Sequence, residues 1–158
     1  MSALKTIVIV GGIGAVLYMG TRTMMPLGIR NNNPLNIRYN KANNWEGQTG
    51  ENQGFCKFSS SKYGIRAAAR LLNNYMVKNN LRSVAGIIKK WAPSHENPTD
   101  NYVTFVAEAV GVNAADNNLT EQHIPAIVKA MIKFENGIQP YTNGRILEGC
   151  EMAGIKLS

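Results

Sequence analysis

A single carboxylate, Glu135, occupies a position where helical periodicity predicts an apolar side chain. Large apolar residues recur at helical spacing between 120 and 137, and Glu135 follows Met131 by four residues and Ile132 by three. Its side chain is therefore predicted to lie on the buried face of the helix. The alternative is that the helix frays after Phe134 and the carboxylate points into solvent. Burial and the negative end of the helix dipole both disfavour the charged form, so the pKa of Glu135 should rise toward neutrality. A carboxyl group that keeps its proton near neutral pH can act as a general acid.

The other ionisable and nucleophilic residues form no comparable arrangement. His95 and His123 stand apart from any serine or cysteine in a recognisable nucleophile motif, so a catalytic triad is not indicated. Cys56 and Cys150 are far apart, with no CxxC spacing and no histidine at ligand spacing. We therefore expect no metal, no cofactor and free buried thiols, although the sequence leaves a disulfide open.

Length and charge limit the classes of protein to consider. The chain has 158 residues, of which 44% are hydrophobic and 17% charged, and this is enough for one folded domain with a real core. Its net charge of +7 is uneven, because residues 1–90 hold thirteen Lys and Arg against two acids, and residues 91–158 hold four against eight. Such a basic half suits an anionic partner, for example a nucleic acid, an anionic lipid or a bacterial cell wall. It could equally serve solubility alone.

The amino-terminal segment is predicted to cross a membrane once. An uncharged apolar run covers Ile7 to Met19. If the side chains of the flanking Lys5 and Arg22 extend toward the membrane surfaces, residues 3–25 approach the roughly 20 residues that a membrane-spanning helix needs. Residues 1–26 are therefore assigned to a membrane anchor. A signal peptide is the alternative interpretation, although no small-residue cleavage site follows the apolar core.

Residues 27–158 are predicted to form one domain with a small β-hairpin region at its start. Asparagine and glycine turn signals are frequent between 28 and 54, and they bracket strand candidates at 36–39, near Trp45 and at 55–58. Glu46 beside Trp45 could face a sugar from such a turn, although a solvated turn residue is the simpler reading.

Helices dominate the remainder, which makes the predicted fold mainly α with a small hairpin region, an α+β class. Ser83 is expected to cap one helix, Thr99 or Asn97 another, and Gly111 to end the latter. Apolar periodicity predicts helices over residues 63–77, 84–91, 99–110, 120–137 and 146–153, and it places Trp91 and Tyr102 on the inward faces of the second and third of these helices.

Two groups of motifs resemble those of phage proteins. Phe134-Glu135-Asn136-Gly137 with Pro140-Tyr141 is similar to the start of the phage lysozymes, in which a helix ends in a catalytic glutamate. The remaining motifs are Gly28 to Arg38, Trp45-Glu46-Gly47, Phe55 to Phe58, Gly64 to Ala67, Trp91-Ala92-Pro93 and Glu96-Asn97. Together they resemble those of a family of phage virion-associated peptidoglycan-degrading proteins.

The resemblance implies a lysozyme-like fold and cleavage of the β-1,4 bond between the amino sugars of peptidoglycan. In the phage lysozymes the glutamate helix precedes the hairpin, whereas here it follows, so a circularly rearranged element order is needed to reconcile the two. Without it, Glu46 or Glu96 would be the better acid. The side chains expected to hold the sugar are Asn33, Asn36, Trp45, Glu46 and Tyr141.

The expected activity is that of a lytic transglycosylase or a muramidase, with Glu135 as the catalytic acid. A transglycosylase needs one carboxylate and a muramidase two, so a lone acid favours the transglycosylase. We expect a single-pass protein of the virion membrane or host inner membrane, facing the cell wall. Its partners would be glycan strands and other virion proteins. The alternatives are an inactive, membrane-anchored virion protein that binds cell wall or nucleic acid, and a cellular protein that remodels the wall.

Overall fold

A computed structural model describes residues 5–9, 15–19, 25–95 and 98–158 of the chain. In the described part, two pairs of antiparallel strands precede or interrupt a set of helices. The strands are β1 (Lys5–Ile9), β2 (Ala15–Met19), β3 (Gln48–Asn52) and β4 (Phe55–Phe58). The helices are α1 (Leu27–Arg30), α2 (Ser61–Lys78), α3 (Val84–Trp91), α4 (Thr99–Val110), α5 (Ile124–Asn136) and α6 (Asn143–Met152).

The predicted amino-terminal transmembrane helix is wrong. Strands β1 and β2 occupy this stretch and pair antiparallel, with Lys5 opposite Met19 and Ile9 opposite Ala15. Nowhere in the described ranges does a helix combine the length and apolar character needed to span a bilayer. The physical reason lies in residue type, because β-branched residues fill β1 and three glycines separate it from β2, and both features disfavour a helix. Hydropathy alone does not distinguish these states.

The second strand pair is a tight hairpin built by its turn residues. Gln53 and Gly54 connect β3 to β4, and both have positive φ, 54° and 84°, as a two-residue turn of the type I′ class requires. The strand predicted at 55–58 is confirmed. Its partner lies at 48–52, where the sequence indicated a turn, and the candidate at 36–39 contributes only a bridge between Arg38 and Phe55.

The predicted helices are confirmed within a few residues at most ends. The Ser83 hydroxyl accepts a hydrogen bond of 3.1 Å from Gly86 N at the start of α3, and Gly111 ends α4 with a left-handed φ of 79°. Thr142 caps α6 in the same way as Ser83 caps α3. The signals at Ser83 and Gly111 are local, which explains why the sequence locates them.

The predicted cap of α4 by Thr99 is wrong, because Thr99 is already the first residue of the helix and its hydroxyl donates to the carbonyl oxygen of Ala92 at 2.7 Å. The alternative, Asn97, lies outside the described residues.

The core lies where α2 packs against α5 and α6, and α4 against α3 and α5. Trp91 and Tyr102 are the largest side chains that are fully buried in it. Cys56 and Cys150 are buried and unpaired, as expected, and burial raises the pKa of the Cys150 thiol to about 12. The domain is thus held by packing and hydrogen bonds between these elements.

Two glycines allow backbones to approach α2 closely. A Cβ at Gly64 would lie 2.0 Å from the carbonyl oxygen of Asn32, and one at Gly149 would lie 2.5 Å from a methyl carbon of Ile65. The first contact joins α2 to residues 31–37, which we call the asparagine-rich loop, and the second joins α6 to α2. Helix α2 is therefore fixed on two sides.

We expect Gly149→Ala to lower the free energy of unfolding by about 1–3 kcal/mol, because the added methyl group must displace Ile65. Gly144→Ala is the matched control in the same helix, since the nearest atom to its Cβ is 3.9 Å away. Urea unfolding of both variants tests this, and equal stability of the two would contradict it.

Candidate active site

Glu135 lies in the last turn of α5 and is completely buried. Its relative exposure is 0%, and α5 continues through Asn136 before Gly137 ends it with a left-handed φ of 71°. The helix therefore does not fray after Phe134, and the prediction of a carboxylate on the buried face is confirmed.

Two aromatic side chains hold one oxygen of this carboxyl group. Glu135 Oε1 accepts hydrogen bonds of 2.9 Å from Trp91 Nε1 and of 2.9 Å from the Tyr102 hydroxyl. Glu135 Oε2 has no hydrogen-bond partner among the residues that the structure describes. Because an indole N–H can only donate, Oε1 must accept, and the proton of the neutral acid belongs on Oε2.

The pKa of Glu135 is raised from its ordinary value near 4.5 to about 7. Burial is the largest cause, since it removes the hydration that stabilises the charged form. Hydrogen bonding from Trp91 and Tyr102 acts in the opposite direction, and so does the nearby Asn36 amide, although that amide does not meet the full geometry of a hydrogen bond. The acid is thus poised near neutral pH.

The two donors are themselves held by aromatic contacts. The Tyr102 ring stacks on Phe134, with centroids 4.1 Å apart and an interplanar angle of 11°. Trp91 meets the ring of Tyr75 edge-on, with centroids 6.3 Å apart. Such contacts restrict both rings, so the hydrogen bonds to Glu135 start from fixed donors.

Asn33 has a structural role in the asparagine-rich loop that precedes the hairpin. Its amide nitrogen donates to the carbonyl oxygens of Ile37 at 3.0 Å and Cys56 at 2.9 Å, and its amide oxygen accepts from Ile37 N at 2.9 Å. The side chain is fully buried. Asn33 therefore joins the loop to β4, and its amide is engaged inside the protein rather than turned toward a sugar.

Asn36 is the residue of this loop that reaches Glu135. It has a positive φ of 52°, a conformation that asparagine tolerates better than most residues. A Cβ at Gly28 would lie 2.9 Å from Asn36 Nδ2, so the glycine leaves room for the amide. The buried Asn36 amide has neither of its polar atoms paired with a residue in the described ranges.

A hydrogen bond joins the loop to the end of α5. Asn136 Nδ2 donates to the carbonyl oxygen of Pro34 at 2.7 Å and to that of Ile132 at 2.9 Å. The asparagine-rich loop therefore reaches the glutamate helix although it lies about a hundred residues earlier in the chain.

Unpaired buried polar atoms are frequent in these two segments. Native proteins pair most buried polar groups, so such a concentration marks a functional site better than a structural one. Within the described residues, the atoms in the loop and in the segment 135–141 are Asn31 Nδ2, Asn36 Nδ2, Asn36 Oδ1, Glu135 Oε2, Asn136 Oδ1, Gln139 Nε2 and the Tyr141 hydroxyl. Burial also raises the pKa of Tyr141 to about 12, so its hydroxyl is neutral and able to donate.

Trp45 and Glu46 lie apart from this site. They line a separate groove against α2, where Glu46 Oε2 pairs with the Arg66 guanidinium at 2.9 Å and the Glu46 side chain is 54% exposed. In the part of the chain that the structure covers, no hydrogen bond or ion pair joins either residue to Glu135. Glu96 lies outside the described residues.

The direct partners of the acid, Trp91 and Tyr102, were predicted only as core residues. Each has a polar atom that needs a partner when the ring is buried, and this requirement was the signal available in the sequence. Periodicity placed both rings inward, but it carries no information about which carboxylate their polar ends would meet.

Comparison with known proteins supplies a family. No protein-family model matches the chain. It is 44% identical over 109 residues to Protein P5 of Pseudoalteromonas phage PM2, and the alignment covers 68% of this chain and 68% of that protein. The chain therefore belongs to the family of the phage PM2 protein P5. The name of this relative states no activity. The comparison therefore links the chain to a phage protein and gives no information about its reaction.

The raised pKa predicts how stability depends on pH. Between the unfolded value near 4.5 and the folded value near 7, the folded state keeps a proton that the unfolded chain loses, so stability falls as pH rises. Relative to Glu135→Gln, the free energy of unfolding of the natural protein should fall by roughly 3 kcal/mol from pH 4 to pH 8. Denaturant unfolding of both proteins across this range measures the difference, and a difference that does not vary with pH would contradict the assignment.

Proposed function

We propose that the protein is a phage enzyme that cleaves the β-1,4 glycosidic bond of peptidoglycan, with Glu135 as the general acid. The observation that carries the proposal is the carboxyl group itself, which is buried, has a pKa of about 7 and has one oxygen without a partner among the described residues. Acids with these properties protonate the leaving oxygen in glycosidases. The motif resemblance supplies the substrate class.

The two oxygens of Glu135 would have different tasks. Trp91 and Tyr102 keep Oε1 as an acceptor, so the proton on Oε2 passes to the glycosidic oxygen as its bond to the anomeric carbon breaks. The same two donors then stabilise the carboxylate that remains. Asn36, beside the acid, is placed to hydrogen-bond a sugar hydroxyl or acetamido group.

We favour a lytic transglycosylase over a muramidase. No carboxylate in the described residues contributes to the pKa of Glu135, and Glu46 is engaged by Arg66. In a transglycosylase the C6 hydroxyl of the muramic acid attacks the anomeric carbon and returns its proton to the Glu135 carboxylate. The proton balance then closes with one acid and no water, and the product is a 1,6-anhydro sugar.

Access to the acid requires a movement of the protein. Glu135 has no exposed surface, and its polar neighbours Trp91 and Tyr102 belong to core helices. Asn36 belongs instead to the asparagine-rich loop, which is itself largely buried, and displacement of this loop would open a path to Oε2. The enzyme would then cleave the cell wall of the phage's bacterial host, during entry or lysis.

The first test is the replacement Glu135→Gln, which keeps the shape and removes the acid. We expect lysis of purified sacculi to fall by about 10²–10⁴-fold, the usual contribution of general acid catalysis. Glu108→Gln is the matched control, since Glu108 is an exposed carboxylate on α4. Undiminished lysis by Glu135→Gln would reject the assignment, and chromatography of the products separates anhydro ends from reducing ends.

A second test uses the pH profile. Activity should decline above a pH of about 7 as Glu135 loses its proton. Tyr102→Phe keeps the ring on Phe134 but removes a hydrogen bond that favours the charged form, so the alkaline limb should move to higher pH. Initial rates across pH measure this, and a limb that stays in place or moves to lower pH would contradict the role of Tyr102.

A non-catalytic function is the alternative, and the complete burial of Glu135 favours it. In that case the protein would be a virion component that binds cell wall or nucleic acid through its basic half. Salt-dependent DNA binding without any activity on sacculi would support this reading.

A further inference from the structure

An open groove of about 830 Å³ lies between residues 42–48 and the outer face of α2. We call it the α2 groove, and the residues that matter to its chemistry are Trp45, Glu46, Arg66, Arg70 and Asn74. It is separate from the buried carboxyl group of Glu135, which is not part of its lining.

The wall formed by residues 42–48 is fixed to the rest of the domain. Gly47 has a positive φ of 75°, and a Cβ there would lie 2.2 Å from the Tyr63 ring. The carbonyl oxygen of Gly47 accepts a hydrogen bond of 2.9 Å from Ser59 N, and Glu46 pairs with Arg66. Because three contacts hold this wall, the groove does not need to form around its ligand.

The two arginines of the α2 groove differ in their availability. Arg66 is engaged twice, by Glu46 Oε2 at 2.9 Å and by the carbonyl oxygen of Met152, to which its Nε donates at 3.2 Å. Arg70, one turn later, is exposed and makes no hydrogen bond or ion pair with any residue in the described part of the chain. One guanidinium is thus free to bind an anion.

Groups that bind neutral polar ligands flank this cation. Asn74 lies one turn beyond Arg70 on the same face of α2, where residues four apart are neighbours. Within the described ranges, the indole N–H of Trp45 is buried without a partner. The α2 groove therefore offers one charge-assisted site for a carboxylate next to an amide and an indole.

We propose that the α2 groove binds the carboxylate-bearing peptide branch of peptidoglycan, and this inference rests on the proposed function. Arg70 would pair with a peptide carboxylate in the two-bond geometry that guanidinium groups favour, and Asn74 would hydrogen-bond the peptide amides. A nucleic acid fits less well, because a polyphosphate backbone needs several free cations and the groove carries the Glu46 carboxylate.

Two side chains, Tyr75 and Trp91, link the α2 groove to the acid. Asn74 precedes Tyr75, whose ring meets Trp91, and Trp91 donates to Glu135. A glycan whose peptide branch lies in the α2 groove would therefore lie beside α2, the helix whose Tyr75 contacts a hydrogen-bond donor of the acid. Binding of the peptide would position the sugar chain for cleavage.

The experiment uses full-length Glu135→Gln, so that binding is measured without turnover. Calorimetry compares soluble glycan fragments that carry their peptides with fragments of equal length from which an amidase has removed them. We expect the peptide-bearing fragments to bind more tightly, and Arg70→Gln in the same background to weaken their binding about tenfold without changing that of the bare fragments. Lys78→Gln, an exposed cation at the end of α2, is the matched control.

Equal affinity for the two fragments, or no effect of Arg70→Gln, would overturn the proposal. A short DNA duplex that binds through Arg70 when the peptide-bearing glycan does not would also overturn it, and would assign the groove to nucleic acid. Arg70-dependent binding by a protein that cleaves no sacculi would instead reject the enzymatic function and leave the groove assignment standing.

Discussion

The candidate site depends on satisfying one buried carboxyl group without water. Glu135 is carried by α5, Trp91 ends α3 and Tyr102 lies in α4, so three helices converge on a single oxygen. A buried polar group without partners is costly, and each donor therefore fixes the position of its helix relative to the others. The same arrangement raises the pKa of Glu135, since two hydrogen bonds do not fully replace its lost hydration.

Local signals explain most of what could be predicted from sequence. Ser83 and Gly111 act through bonds within one turn of the chain, so the ends of α3 and α4 were accessible to sequence reasoning. The burial of Glu135 followed from periodicity in the same way. At the amino terminus, apolar content led to the wrong prediction of a membrane-spanning helix, whereas β1 and β2 form a pair of strands. The reason is that hydropathy does not encode backbone conformation.

The neighbours of the predicted site residues could not be read from the sequence, because they depend on contacts between distant segments. Asn33 was expected at a sugar, yet its amide is used by Ile37 and Cys56, and no local pattern announces the second of these partners. Trp45 and Glu46 were expected to hold the sugar that Glu135 cleaves, but they line the separate α2 groove. In each case the residue type was informative about chemistry, whereas its neighbours depended on the tertiary fold.

The hydrogen bond from Asn136 to Pro34 closes a loop of 102 residues, and this distance bears on how the molecule folds. Contacts so far apart in sequence incur a loop-closure cost that neighbouring helices avoid, so they tend to form late. The contact between α2 and α6 spans a similar distance, because Arg66 Nε donates to the carbonyl oxygen of Met152, 86 residues later, so the two closures have comparable entropic costs. The helical core and the surroundings of Glu135 therefore depend on the same joining of the two ends of the domain, and the raised pKa of Glu135 is a property of the fully folded domain.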